Sequence, residues 1–168
     1  MGFRHLLRVT LLDFEGHSLL ENRRTVNLPP LKSSVYLSLP KGELLLGKNA
    51  KEVLLSCELW TDENLISSNH YFFTAYKNLN LPTPRISAEV SPSKAGCKIR
   101  LTSSRFAKDV NLSADQPDGL FTDNFFDLLP GTPVEIEFQT TRSLKLQEFR
   151  KNLRVRSLAE AFKEQKLK

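Results

Sequence analysis

An all-β chain folded as two tandem β-sandwiches is what this sequence predicts, and three observations carry it. Short runs alternating apolar and polar residues recur along the chain, turn-forming residues separate them, and no stretch keeps a helical period. The segment Asn78-Leu-Asn-Leu-Pro-Thr-Pro84 divides the runs into two series, because its prolines forbid helix and disfavour strand pairing. The boundary falls near Pro82, which gives a domain over residues 1–81, a second over 82–160 and a basic tail over 161–168.

Residues 5–12 open the first series, with Leu7, Val9 and Leu11 on one face and Arg8 and Thr10 on the other. Asp13-Phe14-Glu15-Gly16 reads as a hairpin turn, Gly16 supplying the positive φ. Residues 17–28 resume an extended run that Pro29-Pro30 ends, and residues 34–39 alternate again, predicting a further strand stopped by Pro40. Leu44-Leu45-Leu46, lying between Gly42 and Gly47, is expected to be irregular. Residues 52–61 form the clearest strand of this half. Asp62-Glu63-Asn64 turns the chain, and residues 65–76 return as a long strand, for five or six strands in all.

The second series contains Ile86-Ala88-Val90, then Cys97-Ile99-Leu101, then Val110-Leu112-Ala114, each an alternating run between turn-rich spacers. Val134-Ile136-Phe138 and a strand around 153–157 follow, with one helical turn expected from Ser157. About seven strands suffice for an immunoglobulin-like sandwich. The first half has fewer, and a sandwich short of strands has an unpaired edge and an uncovered apolar face. The first sandwich is therefore expected to be incomplete at its N-terminal side, with self-association through that open edge as one consequence.

Composition excludes several functions. No run of about eighteen apolar residues occurs, so no membrane-spanning helix and no membrane partner are expected. Arginines interrupt the apolar start of the chain and a small-residue cleavage site is missing, so no export signal is read there. Cys57 and Cys97 fall on the apolar parity of their runs and read as small buried hydrophobes in separate cores, not as a bridge. His5, His17 and His70 lack ligand spacing, so neither a metal nor a cofactor is expected. The net charge of +5 resides in residues 142–168, where nine Lys/Arg face three Glu; the remainder of the chain is slightly acidic. Phe149 and Phe162 in that segment are expected to pack rather than stack on bases, and no nucleic-acid partner is predicted.

The most distinctive stretch is Phe121-Thr-Asp-Asn-Phe-Phe-Asp-Leu-Leu-Pro-Gly131. Asp123 and Asn124 can bond their own backbone and start one turn, while Pro130 and Gly131 supply another. Phe125, Phe126, Leu128 and Leu129, on either side of Asp127, are too apolar for water. Two of them are expected to plug the end of a sandwich between its sheets. Trp60 shares a strand face with Leu54, opposite the apolar parity of Leu55 and Cys57. That position makes it a candidate interdomain anchor or glycan contact, together with Tyr36 and Tyr76.

The 121–131 stretch, Asn69-His-Tyr-Phe-Phe73 and Leu153-Arg-Val-Arg-Ser-Leu-Ala159 together resemble, in this order, the C-terminal region of the β-mannosidases of glycoside hydrolase family 2. The resemblance covers almost the whole chain. It implies the last two immunoglobulin-like sandwiches of a five-domain enzyme, the first of them beginning about two strands before Met1. It also implies a catalytic barrel as partner, a parent that hydrolyses terminal β-mannosyl residues of oligosaccharides, and a periplasmic, secreted or lysosomal setting. Related exo-β-glucosaminidases carry similar modules. Hydrolysis needs two carboxylates about 5 Å apart in a retaining enzyme, and the resemblance puts both on the barrel. Glu135 and Glu137, two apart on one strand, read instead as a solvent-facing row, so no catalytic residue is assigned and the chain alone is expected to be inactive. The alternative is a module that binds carbohydrate or another protein.

Overall fold

The first hairpin is closed by a single carboxylate. Oδ1 of Asp13 accepts the N–H groups of Glu15 (3.0 Å) and His17 (2.8 Å), and its Oδ2 meets the His17 ring at 2.9 Å. Gly16, at φ 94°, makes the reversal possible. Burial alone would raise the Asp13 carboxyl. The hydrogen bonds from the His17 ring and amide, the His17 charge and the Glu15 amide outweigh it and hold the group below the usual carboxylate value.

The computed structural model describes residues 3–160; the tail over 161–168, with Phe162, lies outside them. Two compact units divide between Asn80 and Leu81. In the first unit, β1 (Phe3–Asp13) and β2 (Ser18–Leu28) form the hairpin just described. β3 (Val53–Thr61) and β4 (Asn64–Phe72) form another around Asp62-Glu63, with Asp62 at φ 53°. All pairs are antiparallel in the order β2-β1-β3-β4. Register places Leu7, Val9 and Leu11 beside Leu59, Cys57 and Leu55 on one face. Leu6, Arg8, Thr10 and Leu12 lie beside Trp60, Glu58, Ser56 and Leu54 on the other.

Three expectations change here. The described residues of the first unit form four strands, not five or six. Residues 34–39 are not a strand: they run across the apolar face of the sheet, where no ladder is available, and the Tyr36 carbonyl accepts instead from the Arg24 guanidinium at 3.0 Å. Residues 44–46 are not wholly irregular, because a single helical turn, α1 (Lys41–Leu44), buries Leu44 against Leu11, Val53 and Phe73.

The second unit is a two-layer sandwich. One sheet has the order β5-β6-β10-β8, formed by Ile86–Pro92, Gly96–Ser103, Val134–Gln139 and Leu120–Phe121. The other has the order β11-β7-β9, formed by Leu153–Arg156, Ala107–Ala114 and Phe126–Leu128. β6 alternates strictly, burying Cys97, Ile99, Leu101 and Ser103 and exposing Lys98, Arg100 and Thr102. Those apolar residues meet Ala107, Val110, Leu112 and Leu128 from the second sheet in one core. Sequence periodicity did not reveal the helix α2 (Leu146–Asn152), whose Phe149 enters that core with 1% exposure. Its ring lies 4.7 Å from that of Phe138, and Phe121 closes the other side of Phe138 at 5.0 Å. Burying a side chain of this size stabilises by about 1.5–3 kcal/mol. Gly119 is required beside that cluster, since a Cβ there would come within 2.4 Å of the Phe138 ring. Residues 158–160 are helical, and the Glu160 carboxylate accepts from both the N–H (2.7 Å) and the hydroxyl (3.0 Å) of Ser157, while the Glu160 N–H donates to the Ser157 carbonyl.

Candidate functional site

Two surfaces of the first unit hold Trp60 and Tyr36, two of the residues singled out by sequence. On the face of Leu54, the indole N–H of Trp60 donates to Glu58 Oε2 at 2.9 Å. The Arg8 guanidinium grips the same oxygen through Nε at 2.7 Å and through Nη2. Its carbon also sits 5.1 Å from the Trp60 ring centroid, a cation–π contact. Trp60 is half-buried and its orientation is set from both sides. Glu58 stands two residues before Trp60 and so was readable on its face. Arg8 was not, because it reaches them through the β1–β3 register.

On the opposite face, the 36–44 segment arches over the sheet and leaves a hollow of about 490 Å³. Leu7, Val9, Leu55 and Cys57 form its floor, and Tyr36, Leu37 and Leu39 its roof. Tyr71, Phe73 and Lys41 stand along its sides; Tyr71 meets Phe73 edge-on at 5.3 Å, and the Lys41 ammonium donates to the Phe73 carbonyl at 3.3 Å. Tyr71 is the residue here that sequence reading did not single out. Its place one pairing step from Leu55 was hidden until the register was known. Cys57 is half-buried on this floor while Cys97 is fully buried in the second unit, and both thiols are free. Burial pushes the Cys57 thiol up, and burial followed by the charge of Glu137 does the same for Cys97.

Tyr36, Trp60 and Tyr76 are not brought together. Tyr36 lines the hollow and Trp60 lies on the opposite face of the same sheet. Tyr76 begins a 3₁₀ turn after β4, with its ring edge-on to Phe72 at 5.3 Å. They form no common aromatic platform.

In the second unit the 121–131 stretch acts as a backbone surrogate. Asn124 presents its carboxamide to β7: Oδ1 accepts the Leu112 N–H at 2.7 Å and Nδ2 donates to the Leu112 carbonyl at 2.9 Å. Asp123 accepts the Asn124 N–H, and Pro130-Gly131 turns with Gly131 at φ 75°. Leu128 is fully buried and Phe126 partly, whereas Phe125 corrects the expectation at 66% exposure. Its backbone is left-handed at φ 61°, and its N–H is taken by the Val110 carbonyl at 2.8 Å, which swings the ring outward. Asp127 bonds Lys108 at 2.9 Å and the Asp109 N–H at 3.2 Å. Lys108 is 7% exposed in its side chain and also meets Asp109 at 2.5 Å. Burial would lower this ammonium; the hydrogen bonds and charges of Asp109 and Asp127 reverse that and raise it. Leu129 is half-buried.

Glu135 and Glu137 lie cross-strand from Arg100 and Lys98, opposite charges in register on the outer row of β10 and β6. Among the described residues no cluster of three His, Cys, Asp or Glu gathers to hold a metal.

Residues 3–78 match the mannosidase Ig/CBM-like domain, and residues 81–161 match the mannosidase Ig-fold domain. Over these two segments the chain belongs to the mannosidase Ig-domain families. Both units are built of antiparallel strands, as the two matched Ig-like domains imply. The crystal structure of a β-D-mannosidase from Dictyoglomus thermophilum matches over 94% of the chain and 19% of its own, with a TM-score of 0.64 and 17% identity. An exo-chitosanase, CsxA, from Amycolatopsis orientalis matches over 93% of the chain and 23% of its own, with a TM-score of 0.59 and 14% identity. The chain thus spans about a fifth of each of these proteins. No curated protein matches it significantly in sequence.

Proposed function

We propose that the chain is the non-catalytic C-terminal region of a β-mannosidase-like glycoside hydrolase and that its two domains pack against and support the catalytic barrel. The parent on this reading is a glycosidase of carbohydrate metabolism that releases terminal β-mannosyl residues from oligosaccharides. The observation that carries it is the match to both mannosidase domains, end to end over residues 3–161, by a chain about a fifth as long as the enzymes it resembles. Two local features agree. Glu135 and Glu137 are set in register with cations on an outer strand row, and Trp60 is oriented by Glu58 and Arg8 as a rigid aromatic for a neighbouring surface.

A second reading, glycan binding by the first unit, draws on Tyr36 and Tyr71 beside the 490 Å³ hollow. Calorimetric titration with mannobiose and chitobiose separates the two. A supporting module gives no heat of binding, whereas saturable binding lost in Tyr36→Ala and Tyr71→Ala would replace it with a carbohydrate-binding one.

A further inference from the structure

The two edges of the first sheet differ in a way that bears on association. β2, at one edge, carries Glu21, Arg23 and Arg24, all exposed, and such charges guard natural sheet edges against pairing. β4, at the other edge, reads Asn-Leu-Ile-Ser-Ser-Asn-His-Tyr-Phe and contains no Asp, Glu, Lys, Arg or Pro. Residues 64–69 and Tyr71 are exposed, among them the apolar Leu65, Ile66 and Tyr71. The β3–β4 register shifts at Leu59/Trp60, leaving Ile66 as an extra residue, so the regular part of the edge is residues 67–72. Within it the His70 N–H takes Asn69 Oδ1 at 2.9 Å, a neighbouring side chain in the place of a strand carbonyl.

The charges at the ends of β4 are opposite. The hairpin tip before it carries Asp62 and Glu63, while Lys51 and Lys77 flank the far end beside Glu52, which Asn80 engages at 2.7 Å. Two copies placed antiparallel along this edge bring each acidic tip toward the basic end of the other, and a parallel arrangement would oppose like ends. Antiparallel self-pairing is also isologous and closes as a dimer.

We propose that β4 is a self-association edge, at which two copies of the chain pair antiparallel through residues 67–72 and join two four-stranded sheets into one. Backbone hydrogen bonds hold the pair, as in strand addition generally. The partner is a second copy because the edge is neutral along its length and complementary to itself at its ends.

Sedimentation equilibrium over roughly a hundred-fold concentration range tests this. The wild-type chain, the β4 variant Ser67→Lys/Asn69→Lys and the β2 variant Asn22→Lys are compared, with Trp60 emission and circular dichroism checking that each is folded. Ser68→Lys repeats the β4 test if the double variant is unfolded. The wild type and the β2 variant are expected to dimerise alike, and the β4 variant to dissociate with a Kd at least ten-fold higher. A wild type that stays monomeric, a dimer that the β4 variant leaves intact, or a dimer that the β2 variant also breaks overturns the proposal.

Discussion

Asn124 pairs with Leu112 as if it were a segment of backbone, its carboxamide accepting the Leu112 N–H at 2.7 Å and donating to the Leu112 carbonyl at 2.9 Å. Leu112 is buried, so removing that carboxamide orphans both groups. Asn124→Ala is expected to lower stability in urea by about 2–3 kcal/mol. Asn124→Asp should rescue little, because a carboxylate keeps the N–H bond but turns an oxygen toward the Leu112 carbonyl.

Lys108 and Asp127 form a mostly buried pair, and removing one partner of such a pair costs about 3–5 kcal/mol. Asp127→Ala is expected in that range, and Lys108→Met, which removes the cation and keeps the volume, to cost less. Equilibrium denaturation of the two variants checks the order.

The same lysine sets an alkaline limit. Its folded pKa is raised, so its contribution is full below the unfolded lysine value and is lost as pH rises through the folded one. Asp13 acts at the other end. Its folded pKa is lowered, so its contribution is present above the unfolded carboxylate value and lost as pH falls through the folded one. A stability–pH profile should lose part of its alkaline slope in Lys108→Met, the buried thiols of Cys57 and Cys97 supplying another part, and part of its acid slope in Asp13→Asn.

Phe125 combines a left-handed backbone with an exposed ring. Phe125→Asn, which tolerates that conformation better, is expected to leave stability unchanged or raise it by up to about 1 kcal/mol. Thermal unfolding reads the difference.

The fold was legible wherever one side of an element is buried. β6 announces itself by alternation because one row meets a core and the other meets water. Residues 34–39 alternate as well, but alternation cannot distinguish a strand paired at an edge from a segment lying across a face. α2 is only seven residues long, too short for a helical period to emerge. Phe125 was misplaced for a related reason: apolarity says a ring should be buried, and a single left-handed residue decides otherwise. At the candidate site the Glu58–Trp60 spacing was readable, whereas Arg8 and Tyr71 needed the register between strands.

If the chain is an accessory region without its own hydrolytic centre, as proposed, the purified chain alone does not hydrolyse a chromogenic β-mannoside. A full-length family relative serves as the positive control, and a chromogenic β-glucosaminide as the second substrate. Turnover is expected from the relative and none from the chain. Turnover by the chain that is abolished by Glu135→Gln or Glu137→Gln would contradict it.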